Sequence, residues 1–239
     1  MTTFIDIDFD FRIDTPNGKD PDALSPTLRK YHELLWSKPL PNGQMFELKP
    51  KAKYYLHHES ELGMFALSSD SVIPSFSNAT QITDVIAQIP NLVQEFKRKG
   101  YTIGGMMIFP SYRVDSKPTI NVSRGFHPLI KDRFDLTLEC IRLHYNNEPN
   151  PLQHVFSRYQ SFFALFENFK GYIDFFLLQD WVNKDYQGIN FVMPFSGFRG
   201  IPLPRSIEAY IDYKNKSEEL IQKRNERILK YCTEVNHEV

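Results

Sequence analysis

No stretch constrains this chain more than Tyr101–Tyr145, YTIGGMMIFPSYRVDSKPTINVSRGFHPLIKDRFDLTLECIRLHY. Apolar runs punctuated by glycine and proline predict a strand over Thr102–Pro110, a turn, and a second strand over Pro118–Val122. A short polar elbow and a helix opening at Pro128 follow. The pair Gly104–Gly105 inside an apolar run predicts a bulge, or a close approach by another backbone or a ligand. At about 100° per residue, Ile130, Phe134, Leu138, Ile141 and Tyr145 form one apolar arc of the helix. Leu129, Leu136, Cys140 and Leu143 form a second. The broad side between them (Lys131, Asp132, Asp135, Glu139, Arg142) is expected to be wet. The narrow gap holding Arg133, Thr137 and His144 is walled by apolar arcs, so its polar groups must be paired.

Period and punctuation supply the other elements. Residues 4–14 alternate, with Ile5, Ile7, Phe9, Phe11 and Ile13 on one side and Asp6, Asp8, Asp10, Arg12 and Asp14 on the other, which predicts a half-buried strand. Its aspartates read as a solvated face that discourages edge pairing, because side chains two apart on a strand fan along it and do not converge on a metal. TPNGKDPDALSP (15–26) is turn chemistry. Ser25 as N-cap and Pro26 in the first helical position open a helix to about Ser37, with Leu28, Tyr31, Leu34 and Leu35 inward. Strands are expected around 45–48, 53–58 and 64–69. Thr80 is expected to cap a helix to Lys99, broken at Pro90 and stopped by Gly100. Residues 152–182 have a helical period, and Phe156, Tyr159, Phe163, Phe166 and Phe169 form an aromatic stripe expected in the core. Residues 189–195 read as a last strand. From Pro204 a charged helix with few apolar anchors is expected along one edge or against a partner, ending in a disordered tail.

The fold class is therefore α+β: a single domain over residues 1–239, with a mostly antiparallel central sheet packed by aromatic-rich helices. The core spans about 4–203, and 204–239 forms the charged C-terminal helix and tail. The chain's 239 residues suffice for a sizeable core, and 20 Phe with 12 Tyr make it an aromatic one. A formal net charge of −1 gives no global argument for nucleic acid or membrane. The acidic start MTTFIDIDFDFRID is unlike a signal peptide, and the apolar run 172–182 is too short for a bilayer. Cys140 and Cys232 fit unpaired thiols in a reducing compartment. The expected location is cytoplasmic, without membrane.

The strongest candidate site is the elbow Asn121-Val-Ser-Arg-Gly-Phe-His127, read as leading into a helix whose N-terminus offers unpaired N–H groups and a positive dipole end. Arg124 with Asn121, Ser123, Gly125 and the loop residue Arg113 would bind a phosphate or carboxylate there. His127, with Arg133 and His144 behind, would carry any catalysis. No Walker loop, GxGxxG turn or GxSxG elbow is present. His57-His58-Glu59 is a weak metal candidate, because neighbours on a strand point to opposite faces. No metal is expected, and no cofactor can be named. Trp36, Tyr112, Phe126 and Trp181 could stack bases if exposed.

Arg12 on the first strand with Ser68-Ser69 on a later one resembles the arginine and serine strands of ADP-ribosyltransferases, without an assignable glutamate. Over roughly residues 8–195, the runs DPDALSPTLRKYHELLWSKPLPNG, LHHESELGMFALSSD, TIGGMMIFPS, RGFHPLIKDRFDLTLECIRLHY and FKGYIDFFLLQDWV resemble a bacterial family classed as a domain of unknown function. That resemblance implies a bacterial cytoplasmic protein with one intact domain and brings no catalytic residues. The functional expectation is a protein that binds a phosphate-bearing ligand, a nucleotide or nucleic acid. Its enzymatic form would be transfer or hydrolysis on a nucleotide or RNA, in a toxin or phage-defence setting. The alternative is a non-enzymatic interaction module that docks a protein partner through the C-terminal helix.

Overall fold

A computed structural model describes residues 5–51, 55–77 and 79–237. Phe4, Lys53 and Tyr54 of the expected strands and residues 238–239 of the expected tail lie outside these. In chain order the elements begin with α1 (Pro21–Leu24), α2 (Pro26–Trp36), β1 (Lys38–Pro39), β2 (Met45–Phe46), β3 (Lys49–Lys51), β4 (Tyr55–Ser60) and β5 (Gly63–Ser71). Next come α3 (Thr83–Gln88), α4 (Pro90–Gly100), β6 (Met106–Pro110), α5 (Ile120–Phe126) and α6 (Phe134–Tyr145). The short α7 (Gln153–Phe156), α8 (Gln160–Ala164) and α9 (Phe169–Phe175) precede α10 (Ile207–His237), which runs for 31 residues. Strands β3-β4-β5-β6 form one antiparallel sheet in that order, and β1 and β2 form a separate antiparallel pair. The chain is thus an α+β single domain.

Local chemistry explains where the helices start. Ser25 Oγ accepts the Leu28 N–H at 3.1 Å and donates to Asp14 Oδ1 at 2.6 Å, while Asp14 Oδ2 accepts the Thr27 N–H at 3.0 Å. A carboxylate thus reinforces the serine cap of α2. Leu28, Tyr31, His32, Leu35 and Trp36 are buried, whereas Leu34 faces out. The break at Pro90 separates α3 from α4 as the sequence predicts. Thr80 does not cap α3: it lies in a 3-10 turn over Thr80–Ile82, and no side-chain cap precedes either element.

Residues 5–14 are a series of turns and not a strand. Asp6 Oδ1 accepts the Asp8 N–H and Asp10 Oδ1 accepts the Arg12 N–H, both at 3.0 Å. An aspartate two residues ahead of a free N–H folds the chain back on itself, and that local bond outcompetes an extended ladder. Ile5 and Phe11 still reach the core. Arg12 grips Asp10 through Nε at 2.9 Å and Nη2 at 2.5 Å, so it stands on no strand beside Ser68-Ser69.

Three further expectations fail. Pro118–Val122 is no strand, since Thr119 caps α5. The helix expected from Pro128 begins at Phe134, after a tight turn. Residues 189–195 make only an isolated bridge, Val182 to Ile189. The aromatic stripe breaks into short helices, but Phe156, Tyr159, Phe163, Phe166 and Phe169 are all buried, with Phe166 packed on Phe175 and Phe176 at 5.0 and 5.2 Å between ring centroids.

Helix α10 is a core element and not an edge appendage. Tyr210, Tyr213, Ser217, Ile221, Arg224, Asn225 and Ile228 line its inner stripe and are all but fully buried. The stripe meets a 3-10 turn over Ile103–Gly105, where a Cβ on Gly104 would fall 2.4 Å from the Ile221 carbonyl oxygen. The diglycine is therefore a close backbone approach. Asn225 Oδ1 accepts the Gly104 N–H at 2.6 Å and Asn225 Nδ2 donates to Thr102 Oγ1 at 3.0 Å. Arg224, without a carboxylate partner among the described residues, donates to the carbonyls of Gly104, Met106 and Phe176 at 3.0, 2.8 and 3.1 Å. Its burial pulls the guanidinium down to about 9, still charged at neutral pH. Arg224 and Asn225 satisfy backbone groups that the turn would otherwise leave buried and unpaired. Among the described residues, no helix is long and apolar enough to cross a membrane.

Candidate functional site

Arg124 sits in the last turn of α5 and is completely buried. Its Nη1 donates to Asp70 Oδ2 at 2.6 Å and forms an ion pair with Asp132 Oδ1 at 2.6 Å. Nη2 donates to the Val72 and Asp132 carbonyls at 3.2 and 2.6 Å, and Nε to Thr137 Oγ1 at 3.2 Å. Of the five N–H donors of a guanidinium, four are engaged in hydrogen bonds and the Asp132 carboxylate sits against Nη1 as a second ion pair. Buried and already paired with two carboxylates, Arg124 is not presented to a ligand anion. The elbow also lacks the expected helix N-terminus, because 120–126 is itself helical and α6 opens beyond it.

What Arg124 holds is the turn ahead of α6. Lys131 and Asp132 both adopt left-handed backbone, at φ 49° and 66°. Such conformations cost about 1 kcal/mol or more each away from glycine and persist where their surroundings impose them. Here the Asp132 N–H donates to the Arg124 carbonyl at 3.1 Å, while the Arg124 side chain binds the Asp132 carbonyl and carboxylate.

The turn forms part of a cavity of about 560 Å³, lined among others by Asp22, Asp70, Lys97, Tyr101, Lys131 and Asp132. Gly125, Ser71, Ser75, Ser77 and the apolar Ile73, Pro74, Phe76 and Leu203 complete much of the wall. Two tyrosines of α10 fix that wall: Tyr210 OH donates to the Ser75 carbonyl at 2.8 Å and Tyr213 OH to the Pro74 carbonyl at 2.7 Å. Asp22 enters from α1, where Asp20 caps the turn. Its Oδ2 accepts the Ser71 N–H at 2.9 Å, while Oδ1 is enclosed without a partner.

Burial, then the charges of Asp70 and Asp20, push the Asp22 carboxyl well above the ordinary aspartate range. Burial also raises Asp70 and Asp132, although Arg124 opposes it for both. Two carboxylates, Asp70 and Asp132, thus share one buried guanidinium, and Asp22 feels the charge of Asp70. Asp22, the member without a cation of its own, is the one pushed furthest towards its protonated form. Tyr101 is held protonated by burial and by Asp22 and Asp20.

Of the residues the sequence singled out, only Gly125 lines this cavity. Arg133 caps α6 and pairs with buried Asp135 at 3.0 and 2.5 Å, and Asp135 Oδ2 accepts the Val192 N–H at 3.1 Å. Asp135, expected on the wet side, is therefore interior. Thr137 Oγ1 donates to the Arg133 carbonyl at 2.9 Å, so Arg133 and Thr137 of the narrow gap are paired. His144 packs against the rings of Phe163 and Phe156 at 5.0 and 5.5 Å. His127 accepts the Leu129 N–H on Nδ1 at 3.2 Å. Burial lowers both imidazoles, so they are neutral at physiological pH. Arg113 is exposed, and Asn121 Oδ1 is enclosed without a partner. Ser123 is half-buried within α5. These groups do not converge on one point. Trp36 and Trp181 are core, and Phe126 is 83% exposed.

The signals for Asp22 and Asp70 were faint. Asp22 lay inside what read as turn chemistry, and Asp70 ended a polar Ser68-Ser69-Asp70 run. Deeper in, the Trp36 indole N–H donates to His32 Nδ1 at 2.9 Å, which leaves Nε2–H to donate to Ser69 Oγ at 2.8 Å. Burial lowers this histidine to about 3, so it stays neutral. On β4, His58 Nδ1 donates to the Glu47 carbonyl at 2.9 Å, and Ser60 Oγ donates to Nε2 at 2.7 Å. Among the described residues, no group of three or more His, Cys, Asp or Glu is placed to hold a metal ion.

No curated protein and no solved structure matches the chain. Residues 5–228, nearly the whole chain, match a family described as "Family of unknown function (DUF6994)", and the chain belongs to that family.

Proposed function

We propose that the cavity beside Asp22 binds a phosphate-bearing small ligand of nucleotide size. The observation that carries this reading is its lining: three carboxyl groups with two lysines, Lys97 and Lys131, in about 560 Å³. Ligand pockets commonly measure about 300–1,000 Å³ with a few convergent polar groups. Lys97 and Lys131 hold the phosphate as point charges. Asp70 and Asp132 accept from amino or hydroxyl groups, and Ile73, Pro74 and Phe76 cover the apolar part. Arg124 is the positioning residue, since it fixes the turn that carries Lys131 and Asp132. Protonated Asp22 is the group able to give a proton to a leaving oxygen, so transfer or hydrolysis on the bound nucleotide is the enzymatic form of this proposal. A cytoplasmic role in defence or toxicity is an extension that rests on the nucleotide reading alone.

Thermal unfolding with nucleoside monophosphates, the matching nucleosides and inorganic phosphate tests the proposal. A ligand at a hundred times its dissociation constant stabilises the native state by about 2.7 kcal/mol. One or more monophosphates raise the midpoint, and their nucleosides do so less. Lys97→Gln and Lys131→Asn (asparagine tolerates left-handed backbone) lose the shift while the free proteins melt normally. Absence of any nucleotide shift, or a shift unchanged in both variants, overturns the reading.

A further inference from the structure

A second cavity, of about 510 Å³, lies between β1 and α9 and is unrelated to the Asp22 site. Lys38, Pro39, Leu40, Asp174, Phe175 and Tyr231 contribute to its lining. Lys38 is 8% exposed. Its ammonium nitrogen lies 4.5 Å from the ring centroid of Tyr231, 4.8 Å from Phe175 and 5.1 Å from Trp36. Among the described residues, no hydrogen bond or ion pair is made by this nitrogen. Asp174, the carboxylate in the lining, is already held by Lys170, by Tyr186 at 2.8 Å and by Gln179 at 2.9 Å. A buried lysine of structural purpose normally reaches a carboxylate or a carbonyl. Lys38 is instead walled by rings and lines an open cavity.

We infer that Lys38 is a nucleophilic amine that condenses with a small aldehyde or ketone bound in this cavity. The Nζ lone pair attacks the carbonyl carbon, and the carbonyl oxygen takes up a proton to give a carbinolamine. The hydroxyl leaves as water with a proton taken from solvent to give the iminium, and return of the remaining N–H proton to solvent leaves the imine. Pro39, Leu40 and Phe175 hold the apolar part of the ligand, and the three ring faces and Asp174 favour the iminium cation. Burial first, and the charge of Arg224 second, bring the Lys38 ammonium from 10.5 down to about 7, against the opposing influence of Cys232 and Asp174. The free amine is thus abundant at neutral pH, as a Schiff-base lysine requires.

The test is reductive alkylation of the whole protein with butanal and cyanoborohydride, read lysine by lysine by peptide mass spectrometry. At about pH 7.5, Lys38 reacts about tenfold or more faster than exposed Lys30 and Lys184 in the same sample, because far more of it is unprotonated. Its rate levels off above neutral pH while theirs keep rising, and denaturant removes the difference. Lys38→Met, which retains a cooperative melt, has no fast lysine. Alkylation of Lys38 no faster than Lys30 in the folded protein, or a rate that climbs with theirs to high pH, overturns the inference.

Discussion

Replacing Lys38 with methionine keeps the unbranched stem and removes the charge. In the unfolded chain the ammonium titrates at its ordinary 10.5, and in the native state at about 7. The native state therefore binds fewer protons between these values, and stability rises with pH across that window. The penalty is fully present below pH 7 and vanishes above about pH 10.5. A difference of about 3.5 units at 1.36 kcal/mol each is about 5 kcal/mol. Three ring faces return about 1–2 kcal/mol of cation–π attraction to the protonated form. Lys38→Met is thus expected to stabilise the protein by about 3 kcal/mol at pH 6, and by less than about 1 kcal/mol at pH 10. Urea unfolding of both proteins at the two pH values measures this directly. A gain that does not change with pH, or a loss at pH 6, refutes the reasoning, because it means the lysine keeps its proton without penalty.

Two other predictions concern packing. Arg124→Met leaves Asp70 and Asp132 crowded without their guanidinium and frees the turn at Lys131–Asp132. Chemical denaturation should show a loss of about 3–5 kcal/mol, and a loss under 1 kcal/mol would mean that Arg124 is not the organising group. Gly104→Ala forces α10 away from the 103–105 turn and breaks the bonds made by Arg224 and Asn225. Its thermal midpoint should fall by more than 10 °C, about 3 kcal/mol in a chain of this length. Gly100→Ala, whose added Cβ meets nothing nearer than 3.7 Å, is the tolerated control.

Punctuation and short-range periodicity made part of this fold legible. Ser25-Pro26, the break at Pro90 and the aromatic stripe of 156–169 depend on neighbours within about one turn of chain, so the sequence carries them. The diglycine marked a bulge or a close approach, though not which of the two, nor which element approached. Alternation misled at residues 5–14, because aspartate side chains can bond the N–H two residues on. Burial of α10 was hidden because its stripe is partly polar: Arg224 and Asn225 look solvated until the carbonyls and amide they serve are in place. The site behaved alike. Arg124 looked like a free cation because two of its partners, Asp70 and Val72, lie more than fifty residues earlier. A residue's own sequence determines which charge and donors it brings and what backbone it favours. Whether those donors are free for a ligand depends on groups brought near by packing, and here only the tertiary structure turned Arg124 inward and left Asp22, Lys97 and Lys131 at a cavity.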